Sequence, residues 1–250
     1  MPPTPYYQDD QVALYLGDSR DLLPQLDLQA DLVVTDPPYG ETSLTWDRWP
    51  DGWPTLAAAA ARSMWCFGSM RMFLENGADF AAAGWKLSQD VIWEKQDGSG
   101  FATDRFRRVH EAALHWYRGT WSEIHTSTPR VGVAGPDKSV RRAAVAKDVH
   151  GDRGASSYVD DGTRLMRSVI KMRNMHGRAL HPTEKPVGIL DPLIRYGCPE
   201  GGLVLDLFAG SGSTLDAARQ AGRRAVGIEA SERYAEAAAR RLSQATIPAA

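Results

Sequence analysis

Short apolar runs alternate with stretches of helical periodicity at both ends of the chain. Residues 13–16, 32–35, 64–67, 91–93 and 112–117 read as buried strands, and 203–207 and 225–228 repeat the pattern near the end. Helical spacing runs through 53–62, 70–83, 214–221 and 232–242. In the last of these, Tyr234, Ala238 and Leu242 recur every fourth residue behind Ser231, a serviceable N-cap. Strands alternating with helices predict a doubly wound α/β fold, a mostly parallel sheet covered on both faces. From about 119 to 180 the alternation stops. That stretch is polar and rich in Gly, Ser and Arg, and so long a loop inside a compact domain is uncommon and generally functional. The expectation is a single domain over 1–250 with an insertion at 119–180 that contacts a partner and orders on binding.

Length changes this picture little: 250 residues suit one α/β domain with an insertion. No apolar run approaches the roughly 20 residues of a membrane span, and the opening MPPTPYYQDD has no secretory pattern. The two cysteines, Cys66 and Cys198, lie far apart, as expected for a reducing, cytoplasmic setting in a bacterium or a viral host. Charge changes the picture more. The net charge of −2 conceals a middle, 101–185, with 16 Lys and Arg against 9 Asp and Glu; the rest holds 13 against 22. A basic middle in an acidic body fits a surface that meets phosphates, although a solvated Arg-rich loop has the same composition.

Two motifs carry candidate chemistry. Asp36-Pro37-Pro38-Tyr39-Gly40 follows directly on the strand 32–35. In an open α/β sheet a strand's carboxyl end faces the crevice where ligands bind. The two prolines fix φ and remove two backbone donors, leaving a rigid turn that presents acceptors. Asp36 and the Pro37 carbonyl are suited to grip the hydrogens of an amino group, and the Tyr39 ring offers a stacking face. A base amine is a poor nucleophile because its lone pair is delocalised into the ring. Two acceptors on its hydrogens favour the pyramidal nitrogen, whose lone pair is free to attack a methyl group.

The second motif is Asp206-Leu207-Phe208-Ala209-Gly210-Ser211-Gly212-Ser213-Thr214, again between strand and helix. Its glycines allow close backbone approach, and the helix N-terminus favours an anion. Glu229 ends the next strand 17 residues after Gly212, where an acid can accept both hydroxyls of a ribose. Leu215 stands where a dinucleotide-binding loop would carry its third glycine, which argues against a nicotinamide cofactor.

In this order the two motifs resemble the permuted, or beta, group of DNA amino-methyltransferases. The likeness covers most of the chain and leaves only about 120–178 unmatched. It implies the S-adenosylmethionine-dependent methyltransferase fold, with S-adenosylmethionine as cofactor and double-stranded DNA as substrate. It also implies transfer to an exocyclic amine, with the base flipped out of the duplex. By the same resemblance Asp36, Pro37, Pro38 and Tyr39 form the catalytic turn. Asp18 helps hold the cofactor adenine, and Phe208 lies against the adenosine. Asp206, Ala209, Gly210, Gly212, Thr214 and Glu229 complete the cofactor site. His181-Pro182-Thr183-Glu184-Lys185-Pro186 resembles the segment beside the methionine end, with Thr183 and Lys185 as its polar contacts. Pro192 falls inside the helix expected next, so that helix should start late or kink. The unmatched segment corresponds to target recognition and carries no readable code. Arg105, Arg107, Arg108, Arg141 and Arg142 are the candidate phosphate contacts. A homodimer is compatible with the family.

Neither cysteine has the setting of an activated thiol, so cytosine C5 methylation is a poor reading. Cytosine N4 methylation uses the same physics as adenine N6; Asp36, where N4 enzymes commonly carry Ser, favours adenine and leaves N4 open. Release-factor glutamine methylation fits neither the Asp nor the motif order. A DNA-binding protein that has lost catalysis is disfavoured by the intact motifs. The six histidines lie between 110 and 181 without metal-ligand spacing, and no metal is expected. Trp46, Trp49 and Trp53 either line a loop over the base or pack inside.

Overall fold

The computed structural model describes residues 2–99, 103–132, 162–173 and 184–244, with the backbone of four two-residue strands between 141 and 158. Two compact units result, Met1–Ser127 with Ser168–Ala250, and Thr128–Arg167. No helix among the described residues is long and apolar enough to cross a membrane.

The larger unit is built on nine strands: β1 (Tyr7–Gln8), β2 (Val12–Leu16), β3 (Leu32–Thr35), β4 (Ser63–Gly68), β5 (Lys86–Ser99), β6 (Arg108–Tyr117), β7 (Val169–Lys171), β8 (Leu203–Asp206) and β9 (Arg224–Glu229). They lie in the order β1-β2-β9-β8-β3-β4-β6-β5-β7. Only β1 and β6 run against their neighbours, so the expected doubly wound, mostly parallel sheet is what the chain forms. Every residue of β3 and β4 is buried, because helices cover both faces, and that is why these strands read as unbroken apolar runs. Among the described residues six α-helices flank the sheet: α1 (Ser19–Leu26), α2 (Trp53–Ala60), α3 (Met70–Ala82), α4 (Val187–Gly197), α5 (Ser213–Gln220) and α6 (Glu232–Gln244).

From β3 the chain winds through α2 to β4; from β8 it winds through α5 to β9, in the opposite direction. β3 and β8 are neighbours, so the winding reverses between them and leaves a crevice beyond their carboxyl ends. Both sequence motifs start there.

Three expectations need adjustment. Helix α4 starts directly after its N-cap Pro186, not late, and carries Pro192 buried in its interior. Helix α1 was not anticipated; it is eight residues long and contains Pro24. The stretch 119–180 is not uniformly an insertion. The turn Trp121–Glu123 and β7 belong to the larger unit, with β7 parallel to β5 and Ile170 buried. The unit Thr128–Arg167 is a set of antiparallel pairs: Arg130–Gly132 with Thr163–Leu165, Arg141–Arg142 with Ser157–Tyr158, and Lys147–Asp148 with Gly151–Asp152.

Candidate active site

The crevice opens into a cleft of about 710 Å³. Its wall includes Gly17 and Asp18 after β2, Asp36 to Tyr39 after β3, Asp206 to Ser211 after β8, Glu229 at the end of β9, and Glu184 and Lys185 before α4. Four strand ends and one distant segment thus converge on one space.

On the β3 side, the Asp36 carboxylate is held on both oxygens. Tyr39 Oη lies 2.6 Å from Oδ1, and the Lys185 ammonium pairs with Oδ2. Tyr39 Oη also lies 2.7 Å from Glu111 Oε1, and Lys185 Nζ is 2.9 Å from the same oxygen. Lys95 Nζ closes the far side, 2.6 Å from Glu111 Oε2. Lys185 is only 5% exposed in its side chain and sits over the Phe67 ring. Burial works to push the Asp36 carboxyl above the usual range, and Lys185 opposes that shift. Burial acts the same way on Glu111, but Lys185 and Lys95 outweigh it and hold the group down at about 2. The resemblance placed Lys185 at the methionine end of a cofactor; here its ammonium reaches Asp36.

The β8 side is a built loop. Asp206 is buried; its Oδ1 accepts from Thr35 Oγ1 at 2.8 Å and from the Phe208 amide at 3.1 Å, and its carboxylate also bonds the Thr214 side chain. Burial raises its carboxyl to about 6. Phe208 packs edge-on against the fully buried Trp53, with ring centroids 5.7 Å apart. The Glu229 carboxylate accepts the backbone amides of Gly210 at 2.7 Å and Ser231 at 2.8 Å, and that of Ala230 as well. Burial lifts this carboxyl too. Gly212 has φ +77°, and a Cβ there would lie 2.9 Å from Ala238 Cβ of α6. Its missing side chain therefore makes room for α6 packing, and it does not line the cleft, unlike Gly210. Asp18 caps α1 and takes a two-pronged contact from Arg20, which lowers its pKa. Thr183 lies outside the described residues, as do the side chains of Arg141 and Arg142.

Arg105, Arg107 and Arg108 are exposed at the entrance to β6. Arg105 pairs with Asp104, and Arg108 reaches Glu41 at 3.4 Å. The three tryptophans divide: Trp53 is buried, and Trp49 packs on Trp53 and Phe80 while its Nε1 donates to Asp79. Trp46 is 42% exposed and lines the cleft mouth.

Sequence reasoning missed four groups. Glu111 and Lys95 sit on strands, where a charge reads as solvent-facing. Glu184 is buried, accepting from Ser211 Oγ at 3.0 Å and pairing with Arg241, and so ties the loop after β8 to α6. Asp47 is 3% exposed and accepts the amides of Gly40 at 2.8 Å and Thr42 at 2.7 Å. An acid seven residues past a proline turn was the available signal.

Comparison with known proteins agrees with this geometry. The N6/N4 methyltransferase family, described as DNA methylase, matches residues 30–240. The type II methyltransferase M2.DpnII of Streptococcus pneumoniae is 24% identical over 272 aligned residues, covering 95% of this chain and 92% of that protein. A putative methylase of Escherichia coli, YubD, is 54% identical over 67 residues, 27% of this chain and 30% of its own length. Among solved structures, the M1.HpyAVI–SAM complex superposes with a TM-score of 0.64 at 21% identity, covering 92% of this chain and 99% of that one. The cytosine-N4-specific PvuII DNA methyltransferase superposes at 0.66 and 16% identity, covering 96% and 89%.

Proposed function

The chain belongs to the DNA methylase family, and from that premise we propose that it moves a methyl group from S-adenosylmethionine to the N6 amine of adenine in double-stranded DNA. The observation that carries the proposal is the placement of Asp36 and Tyr39, at the end of β3, across one cleft from Glu229 and the Phe208–Gly210 loop.

The residues fit the cofactor. The Glu229 carboxylate accepts three backbone amides, those of Gly210, Ala230 and Ser231, and of its roughly four lone-pair sites keeps one for a ribose hydroxyl. Phe208 is braced from behind by Trp53 and presents a rigid apolar surface for the adenosine. Asp18, Asp206, Ala209 and Thr214 shape the rest of that end, with Gly212 acting through α6. Bound there, S-adenosylmethionine supplies an electrophilic methyl group.

The protein's own part is acceptance and alignment. The target adenine leaves the stack and lies against Tyr39. Its amine gives one hydrogen to Asp36 and one to the Pro37 carbonyl, which localises the nitrogen lone pair. With S-adenosylmethionine bound, that lone pair would be aimed at its methyl group, whose transfer would leave the carbon–sulfur electron pair on sulfur. The nitrogen then gives up one proton to Asp36. The Tyr39 hydroxyl must first leave Asp36 Oδ1, which it occupies here. Arg105, Arg107 and Arg108 meet the phosphates.

Asp36 as the first residue of the turn favours adenine. The superposition on a cytosine-N4-specific enzyme keeps N4 as a second reading. Transfer of labelled methyl to unmethylated DNA, followed by nucleoside analysis, decides between them. N6-methyladenine from the intact protein and none from Asp36→Ala is the expected result. N4-methylcytosine would change the base and keep the mechanism; cofactor binding without transfer to DNA would refute the catalytic reading.

A further inference from the structure

Tyr39 has one phenolic proton, yet its oxygen lies 2.6 Å from Asp36 Oδ1 and 2.7 Å from Glu111 Oε1. That one hydroxyl is shared between two carboxyls. Glu111 faces two ammonium groups, Lys95 at 2.6 Å and Lys185 at 2.9 Å; Asp36 pairs with Lys185. Of the two carboxyls Asp36 is therefore the one more readily protonated, and burial pushes it the same way.

A protonated Asp36 cannot accept an amine hydrogen on that oxygen. It becomes an acceptor when it is ionised, the Tyr39 hydroxyl has moved off it and Lys185 does not monopolise it. We propose that Glu111 is a positioning residue for methyl transfer, holding the Tyr39 hydroxyl and sharing the Lys185 ammonium so that Asp36 is kept ready for the amine. The inference rests on Asp36 being the amine acceptor, as proposed above.

Glu111 is suited to this. Its side chain is 12% exposed, and the two lysines keep it ionised, so it is a fixed anion where Asp36 is the group that titrates. Its negative charge raises the Asp36 pKa while its claim on Lys185 limits how far that ammonium lowers it. The other titratable groups facing Asp36 are Tyr39 on its own turn, Asp206 at the end of β8, Cys66 on β4 and Lys185 before α4. Glu111 itself contacts two of these, Tyr39 and Lys185.

The test is the pH profile of methyl transfer in two variants that push in opposite directions. Glu111→Gln removes the anion and leaves Lys185 wholly to Asp36. Turnover should fall on the order of 10- to 100-fold, S-adenosylmethionine affinity should hold, and the acid limb should move to lower pH. Lys95→Met, at a side chain 23% exposed, leaves Glu111 with Lys185 as its one remaining cation among the described residues. Lys185 is then drawn off Asp36, and the acid limb should move to higher pH. A purely structural Glu111 would lower stability and leave both limbs in place. An acid limb that stays put in either folded variant overturns the proposal, and should Glu111→Gln fail to melt cooperatively, Lys95→Met decides alone. Asp36→Ala separates the two ideas: retained transfer there refutes the acceptor reading itself, whereas its loss with unmoved limbs refutes only the role of Glu111.

Discussion

Replacing Asp47 with alanine strips the amides of Gly40 and Thr42 of the carboxylate that accepts them at 2.8 and 2.7 Å. Hydrogen bonds to a charged group contribute about 1.5–3 kcal/mol each, so about 3–6 kcal/mol is at stake if the loop keeps its shape. It need not keep it. Thr42 to Trp46 are exposed, with Asp47 the buried anchor beneath them, so freed amides can turn to water. Ordering each backbone residue costs about 1–2 kcal/mol, and without its anchor the segment after the Asp36–Gly40 turn has little to offset that. The cost should therefore fall on loop order and on catalysis, not on the core.

Amide exchange across 39–48 should rise sharply in Asp47→Ala, while the melting temperature falls by only a few degrees, about 2–4 °C per kcal/mol for a domain of this size. Tyr39 then loses its fixed position, and kcat/KM for methyl transfer should drop on the order of 100-fold, equivalent to about 3 kcal/mol. Asp47→Asn, which keeps one acceptor oxygen, should fall between. Unchanged exchange at Gly40 and Thr42 together with unchanged transfer would refute the argument, since it would mean the carboxylate holds nothing that matters.

Two further outcomes concern stability. Gly212→Ala forces a positive φ and a 2.9 Å approach to Ala238; the two effects together should cost about 2–4 kcal/mol in thermal or denaturant unfolding, with Ala238→Gly recovering the steric part. His115 is buried, bonded to Ser63 through Nε2, and burial lowers its pKa from 6.5 to about 4. The unfolded chain binds the proton first, so stability is full above pH 6.5 and is lost as pH falls toward 4. The wild type should lose up to about 3 kcal/mol across that window that His115→Gln does not. Asp206 titrates in the opposite sense with a folded value of about 6, but it is common to both proteins and cancels in the difference.

What could be read from the sequence follows the range over which each constraint acts. The turn Asp36–Tyr39 was legible because prolines fix a backbone locally, and β3 and β4 because burial on both faces leaves an unbroken apolar run. β7 escaped because three residues with one buried side chain carry no period, and α1 because Pro24 interrupts a short amphipathic pattern. Asp36 and Lys185 were each legible, but their contact spans 149 residues and belongs to no motif. Glu111 depended on more still. It reaches Tyr39 and Lys185 because β6 pairs antiparallel to both β4 and β5, with Ala112 opposite Gly68 and Glu111 opposite Trp93. A slip of one residue in that register would turn its carboxylate to the other face, and Tyr39, Lys185 and Lys95 would lose their common partner. The register itself is fixed by the neighbouring positions, apolar Ala112 to Leu114 and Trp116 with His115 among them, which are all buried. Core packing of β6 therefore decides whether the charged cluster exists at all, so a core substitution that shifts this strand should disturb Asp36 before it unfolds the sheet.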